Sequence, residues 1–395
     1  MKYLISGYYG EGNAGDEAIL AGILQEIGRH DPEAAFTVLS FNPTDTLLRH
    51  GPGRDLDAIS TSLRSPATLW RAMREADLLI SGGGSFLHEA DFALYGRSFL
   101  FRAGKLRPIP YFLSVVFMAR AAGLPVMWYA QGLGPLHTWC ARAWVAAAGS
   151  LSQVVTWRDA DSARLAYAVG VRAPVQLVVP DPAYALTSGP RAEARRVLVE
   201  AGVDPDQPYL AVCPRPWLGR SDYLENMAEA LEKIALALDR QVLLVPFHDS
   251  HDPPVCEDLA ARPGFAGRAR VLPPLPSLSL LAAVLGGADL VVAMRLHSGI
   301  LAATVGTPVV TIDYDPKTRA FATQTGQSRW AVSVDLLGRP GGAALLQEAI
   351  MDTMNQLSAR RAALSQAVAP LQAEAGHTAR LAVQLAERYA GKRCW

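Results

Sequence analysis

The chain has 395 residues, half of them apolar, and its 37 Lys+Arg balance 37 Asp+Glu to a formal net charge of zero. That length allows two ordinary domains with separate cores, and the balanced charge argues against nucleic acid as the main partner. Cys140, Cys213, Cys256 and Cys394 are scattered with no CxxC pair, which argues against a cysteine metal cage and for a reducing, cytosolic setting.

The chain opens as a strand, Lys2-Tyr3-Leu4-Ile5-Ser6, too short in its apolar run for a signal peptide. A glycine loop follows, Gly7-Tyr8-Tyr9-Gly10-Glu11-Gly12-Asn13-Ala14-Gly15-Asp16, then a helix over about Glu17–Arg29. Strand, glycine loop and helix in that order let backbone approach a phosphate, and the same pattern also serves as a tight βα turn. The dinucleotide fingerprint, G-x-G-x-x-G with a timely downstream acid, is not matched cleanly, and no Walker lysine is present. Ala35–Ser40 reads as the second strand, followed by a polar connection through Pro52, Gly53 and Pro66 and a helix near 68–75. Ala76–Ser81 is the next strand, closed by Gly82-Gly83-Gly84. Three glycines at a strand end imply a sharp bend or room for a ligand.

A basic cluster, Arg97, Arg102, Lys105 and Arg107, comes next, suited to a solvated face or to anionic headgroups. The most hydrophobic window, 109–130, is broken by Pro110, Arg120, Gly123 and Pro125, so it reads as a buried helix and a strand and not a membrane span. Val126–Ala130 ends in Gln131-Gly132, and Val154–Trp157 ends in Arg158-Asp159. The run from Val175 closes the first domain, with the boundary near Thr187–Pro190.

The second half restarts the pattern. Tyr209–Cys213 ends at Pro214-Arg215-Pro216, a helix covers about 222–238, and Val242–Phe247 ends in His248-Asp249-Ser250-His251-Asp252. Those two histidines and two acids suit either a metal cluster or a packed polar loop. A short strand near Val271 and a helix over 278–285 lead to the most informative stretch. There Asp289–Ala293 is a buried strand, Arg295-Leu296-His297-Ser298-Gly299 its loop, and Ile300–Val305 a helix stopped by Gly306 and Pro308. A second strand, Val309–Asp313, breaks at Asp315-Pro316-Lys317. Ligands of such βαβ units sit past the carboxyl ends of the strands. Arg295 can grip a carboxylate or phosphate, or pair with a nearby acid. His297 supplies a group that titrates near neutrality, and the N–H groups of Ser298, Gly299 and Ile300 would favour an anion. Residues 345–390 read as amphipathic helix interrupted at Pro370 and long enough to pack back across both domains.

Six segments, GYYGEGNAGDEAIL, SGGGSFLHE, WYAQGLGP, VTWRDADS, VVPDPAY and AMRLHSGILAATVGTPVVTIDYDPK, occur in order between Lys2 and about Gly326. Together they resemble the polysaccharide pyruvyltransferases of the CsaB type. The resemblance implies an α/β fold of two Rossmann-like domains like the glycosyltransferase-B class, with the active site in the cleft between them. On that reading residues 1–187 form the acceptor-side domain, 188–345 the donor-side domain and 346–395 a helical segment. It also implies transfer of the enolpyruvyl group of phosphoenolpyruvate to two hydroxyls of a cell-wall sugar. That sugar would be N-acetylmannosamine on a lipid-diphosphate carrier, and the ketal would anchor surface-layer proteins. Carried over residue by residue, Arg158, Arg295, Lys317, Ser298 and Gly299 would bind the donor, and His297 with Arg295 would act in catalysis. Gly12, Asn13, Asp16, Gly83 and Gly84 would face the acceptor. No metal or cofactor is required, phosphoenolpyruvate being a co-substrate. The enzyme would be cytoplasmic and touch the inner membrane face to reach a lipid-linked oligosaccharide. The competing readings are a nucleotide-sugar glycosyltransferase of the same fold, with Asp313 or Asp315 as its ribose acid, and a non-catalytic polysaccharide-binding protein.

Overall fold

The computed structural model describes residues 1–61, 66–89, 101, 102 and 105–390. Short apolar strands separated by helical segments can pair in parallel only where helices cover both faces, and this sequence does so twice. Two compact units result: one of Met1–Glu11, Ile19–Ala185 and Ala373–Trp395, the other of Gly12–Ala18 and Leu186–Gln372.

In the first unit the strands are β1 (Lys2–Ser6), β2 (Ala35–Ser40), β3 (Asp55–Ser60), β4 (Leu78–Leu87), a two-residue antiparallel pair β5 (Phe101–Arg102) and β6 (Lys105–Leu106), β7 (Val126–Leu133), β8 (Val154–Trp157) and β9 (Val175–Val178). The main sheet is parallel, in the order β3-β2-β1-β4-β7-β8-β9. Ile5 stands between Val38 and Ile80. One face packs on Phe112, Leu113 and Val116, the other on Ile19, Ile23, Ile27 and the last helix through Ala379, Ala382 and Ala386.

The second unit holds β10 (Tyr209–Cys213), β11 (Gln241–Leu244), β12 (Ala269–Val271), β13 (Leu290–Ala293), β14 (Val309–Asp313) and β15 (Ala331–Ser333). Its order is β12-β11-β10-β13-β14-β15, again all parallel. Both sheets therefore start in the middle, run to one edge and return to fill the other. The order reverses between β1 and β4 and between β10 and β13, the switch points beside which doubly wound sheets bind ligands.

Four expectations are corrected. The polar connection after β2 contains a helix, Pro43–His50, and the edge strand β3; its exposed and half-buried alternation gives little apolar signal. Gly82, Gly83 and Gly84 lie inside β4, which continues beside β7 to Leu87. The helix after β13 begins at Leu296, so His297 lies in its first turn. The C-terminal helical region breaks at Gln356, between the helices Gly342–Asn355 and Leu357–Tyr389, whereas Pro370 lies within the second one. A proline there forfeits one hydrogen bond, and the helix continues, with Ala375, Ala379, Ala382 and Ala386 buried beyond it. Among the described residues no helix is long and apolar enough to cross a membrane.

Candidate active site

The switch point of the second sheet is built by register. Cys213 at the end of β10 stands beside Ala293 at the end of β13, and two residues past each lies an arginine, Arg215 and Arg295. Both strand ends are buried, so the loops above them are the first places the chain meets polar groups.

Arg295 precedes the helix Leu296–Thr304 as its N-cap residue. Its guanidinium is almost buried and forms a two-point ion pair with Asp252, which is fully buried; the Nε to Oδ2 distance is 3.1 Å. Asp252 Oδ2 also accepts from Phe247 N at 3.0 Å. The carboxylate thus fixes Arg295 and ties down the loop after β11 in one step, as a buried charge pair needs added hydrogen bonds to offset desolvation. Ser298 and Gly299 are buried, and their N–H groups turn back to Arg295 O at 3.1 and 3.4 Å. Ser298 Oγ donates to the same oxygen at 2.6 Å. The expectation that these two supply open donors is corrected: they are engaged inside the first helical turn.

His297 meets the glycine loop. A Cβ at Gly15 would lie 2.9 Å from His297 Cγ and 3.1 Å from Cε1, so only glycine leaves the imidazole its position. That loop is itself clasped to the chain after β11. Ala14 N donates to Phe247 O at 2.9 Å, Asp249 N donates to Gly12 O at 2.8 Å, and Asn13 forms an antiparallel bridge with His248. Gly12 has φ +72, and a side chain there would strike Asp249 at 3.0 Å. Asn13 Oδ1 accepts from Gly15 N at 3.1 Å and Nδ2 donates to Asp16 at 2.5 Å. Gly12, Asn13 and Asp16 therefore belong, with His297 and Arg295, to the second unit.

The rings of His248 and His251 lie with centroids 4.0 Å apart and their planes tilted by 32°. His248 is held down to about 4 by burial first, then by His251, Arg295 and Arg215, against the opposing pull of Asp252. It is neutral at pH 7. Among the described residues no group of three or more His, Cys, Asp or Glu side chains could hold a metal ion. Lys317 stands in the first turn of the helix Pro316–Gln324, whose capping box is formed by Asp315 and Thr318. Asp313 accepts from Arg319 at 2.8 Å and Thr318 at 3.0 Å.

The remaining residues lie in the first unit. Arg158, after β8, is buried and paired with Asp181 at 3.1 Å, and its other amino group donates to Ser85 Oγ. It passes over Gly132, where a Cβ would lie 3.1 Å from Nη2. Gly83 makes space for Ile19, 2.7 Å from where a Cβ would sit, and Gly84 has φ +102 at the β4 irregularity. Of the basic cluster, Arg97 lies outside the described residues, and Arg107 is buried at the start of the helix Pro108–Ala121, not on a solvated face.

A family model described as polysaccharide pyruvyl transferase matches residues 13–316, from the clasped glycine loop to the start of the Lys317 helix. The chain belongs to the polysaccharide pyruvyl transferase family. Arg158, Arg295 and His297 all fall within the matched span, whereas Lys317 is one residue beyond it. This pyruvyl transferase chain is similar in fold to Anabaena HepE, solved with UDP-glucose (14% identity, 99% of each chain, TM-score 0.58). It is also similar to Staphylococcus aureus MnaA, solved with UDP (12% identity, 99% of this chain and 97% of that one, TM-score 0.62). A third match is Escherichia coli ADP-heptose LPS heptosyltransferase II (14% identity, 90% and 99%, TM-score 0.52). At these identities the likeness is one of fold: an α/β chain of the glycosyltransferase-B kind, built on two parallel sheets.

Two features of this pyruvyl transferase had no sequence signal. Asp252 lies 43 residues from Arg295, and only the fold joins them. Arg215 is one arginine among many until the pairing of β10 with β13 shows that its strand and that of Arg295 end side by side.

Proposed function

We propose that the protein transfers pyruvate from phosphoenolpyruvate to a cell-wall glycan, with Arg295, His297 and Lys317 of the second unit serving the donor. The observation that carries this reading is the seat of His297: an imidazole fitted against Gly15, two residues from an arginine fixed by a buried acid. Phosphoenolpyruvate carries a carboxylate and a phosphate, so its site needs oriented cations more than an apolar cavity. Lys317, in the first turn of the helix that follows β14, is the second cation the reading uses.

The reaction forms two C–O bonds at C2 and breaks one. One sugar hydroxyl adds to C2 while a proton reaches the methylene carbon, which becomes the methyl group. The second hydroxyl then displaces phosphate from C2, its proton leaving with the phosphate, to close the cyclic ketal. His297 carries the proton between hydroxyl and methylene carbon. Arg295 binds a donor oxyanion, and Lys317 steadies the departing phosphate. Residues Gly12–Asp16, next to His297, present the acceptor. The acceptor is an N-acetylmannosamine unit on a lipid-diphosphate carrier, reached from the cytoplasmic side at the membrane face, and its ketal anchors surface-layer proteins.

The nucleotide-sugar alternative draws on the ligands of the solved relatives. Against it, Asp313 is engaged by Arg319 and Thr318, and Asp315 caps the helix carrying Lys317. Phosphate release from phosphoenolpyruvate in the presence of a lipid-diphosphate sugar is the test. The wild-type protein should release it, and His297→Ala should lose at least about a hundredfold in rate. Full activity in that variant with an unchanged pH profile would remove His297 from the proton transfer.

A further inference from the structure

Arg295 and Arg158 each have a buried carboxylate partner, whereas Arg215 has none among the described residues. It lies two residues past β10, as Arg295 lies two residues past β13, and those strands end side by side at Cys213 and Ala293. Its guanidinium lies beside a pair of rings, 5.2 Å from the centroid of Trp217 and 4.7 Å from that of Tyr314, and these rings meet edge to face at 4.6 Å. Nη1 donates to Tyr314 Oη at 2.7 Å and Nε reaches Pro216 O at 3.4 Å. Tyr223 Oη donates to the carbonyl of Arg215 at 2.5 Å and fixes its backbone. Nη2 has no acceptor among the described residues, and neither has the hydroxyl proton of Tyr314, whose oxygen already accepts from Arg215.

We propose that Arg215 and Tyr314 together bind an oxyanion of the substrates, through Arg215 Nη2 and the Tyr314 O–H. Two oriented donors and one uncompensated positive charge, half-buried, are the complement of a carboxylate or phosphate oxygen. The two rings hold the guanidinium in place without neutralising it, which a partner carboxylate would do. Burial raises the Tyr314 hydroxyl above its ordinary range, so the proton it would donate stays in place at working pH. The proposal rests on the pyruvyltransferase reading for the identity of its anions, which have two sources: the carboxylate or phosphate of phosphoenolpyruvate, and the diphosphate of the acceptor's carrier.

Arg215→Gln and Tyr314→Phe, with Arg215→Lys as the charge-conserving control, separate these. For each, the KM for phosphoenolpyruvate and for a lipid-diphosphate acceptor is measured, beside thermal protection by inorganic phosphate and by pyrophosphate. Arg215→Gln should raise one of the two KM values roughly tenfold or more, with a smaller change in kcat. Arg215→Lys should recover part of that loss, and Tyr314→Phe, which keeps the ring, should show a weaker effect of the same kind. A shift in the phosphoenolpyruvate KM assigns the anion to the donor, and a shift in the acceptor KM assigns it to the carrier. Should phosphate or pyrophosphate protect the wild type in an Arg215-dependent way while phosphoenolpyruvate does not, the anion site stands and the donor reading falls. Wild-type KM values and wild-type anion protection in a folded Arg215→Gln protein would overturn the proposal, as would a wild-type protein that none of these anions protects.

Discussion

At the scale of single residues, the site depends on what is small as much as on what is charged. Gly15→Ala should push the His297 ring aside, and a displacement of about 1 Å at a reacting group can cost a hundredfold in rate. Gly28→Ala in the same helix meets nothing within 4 Å and should leave activity intact while raising stability by about 0.5 kcal/mol; steady-state rates with urea unfolding of both variants check the pair. Asp252→Ala should destabilise the protein by about 3 kcal/mol or more, because it strands the Arg295 charge and removes the acceptor of Phe247 N. The same unfolding curves measure it. The placement of Arg295 and His297 just past an apolar strand was legible in the sequence. Their supports were not: Asp252 and Gly15 act on them through space, and nothing local marks a residue that will become a neighbour only after folding.

At the scale of elements, the loop after β11 makes stability depend on pH. His248 titrates near 4 in the folded protein against 6.5 ordinarily, so between those values the unfolded chain binds the proton that the folded chain refuses. Stability should therefore be fullest above about pH 6.5 and decline as pH falls toward 4. His248→Gln should flatten that decline in thermal unfolding measured across the window. Elements rich in β-branched residues, such as β13 and β14, were plain from sequence, as was their βαβ connection. The edge strand β3 was not, since its alternation is mostly polar, and neither was the length of β4. Glycines ordinarily punctuate a strand, but here Gly82 and Gly83 keep it flat where Tyr9 and Ile19 press on it, at 2.6 and 2.7 Å from where side chains would begin. The same glycines that suggested a ligand loop make room for the protein's own packing.

At the scale of the whole molecule, two parallel sheets wound in the same order follow from two successive runs of strand and helix, and that much is visible in the periodicity alone. What periodicity does not reveal is that residues 12–18 associate with the second sheet, a consequence of the backbone clasp to residues 247–249. The family match spans both runs, while the solved relatives carry the fold with other ligands, so the chemistry must be decided by the donor. The decisive measurement is the mass of a lipid-diphosphate N-acetylmannosamine acceptor after incubation with the protein and either phosphoenolpyruvate or UDP-sugars. A product heavier by one pyruvate ketal, formed with phosphoenolpyruvate alone and lost in His297→Ala, is the predicted result. An acceptor extended by a sugar from UDP-sugar, and unchanged by phosphoenolpyruvate, would contradict it.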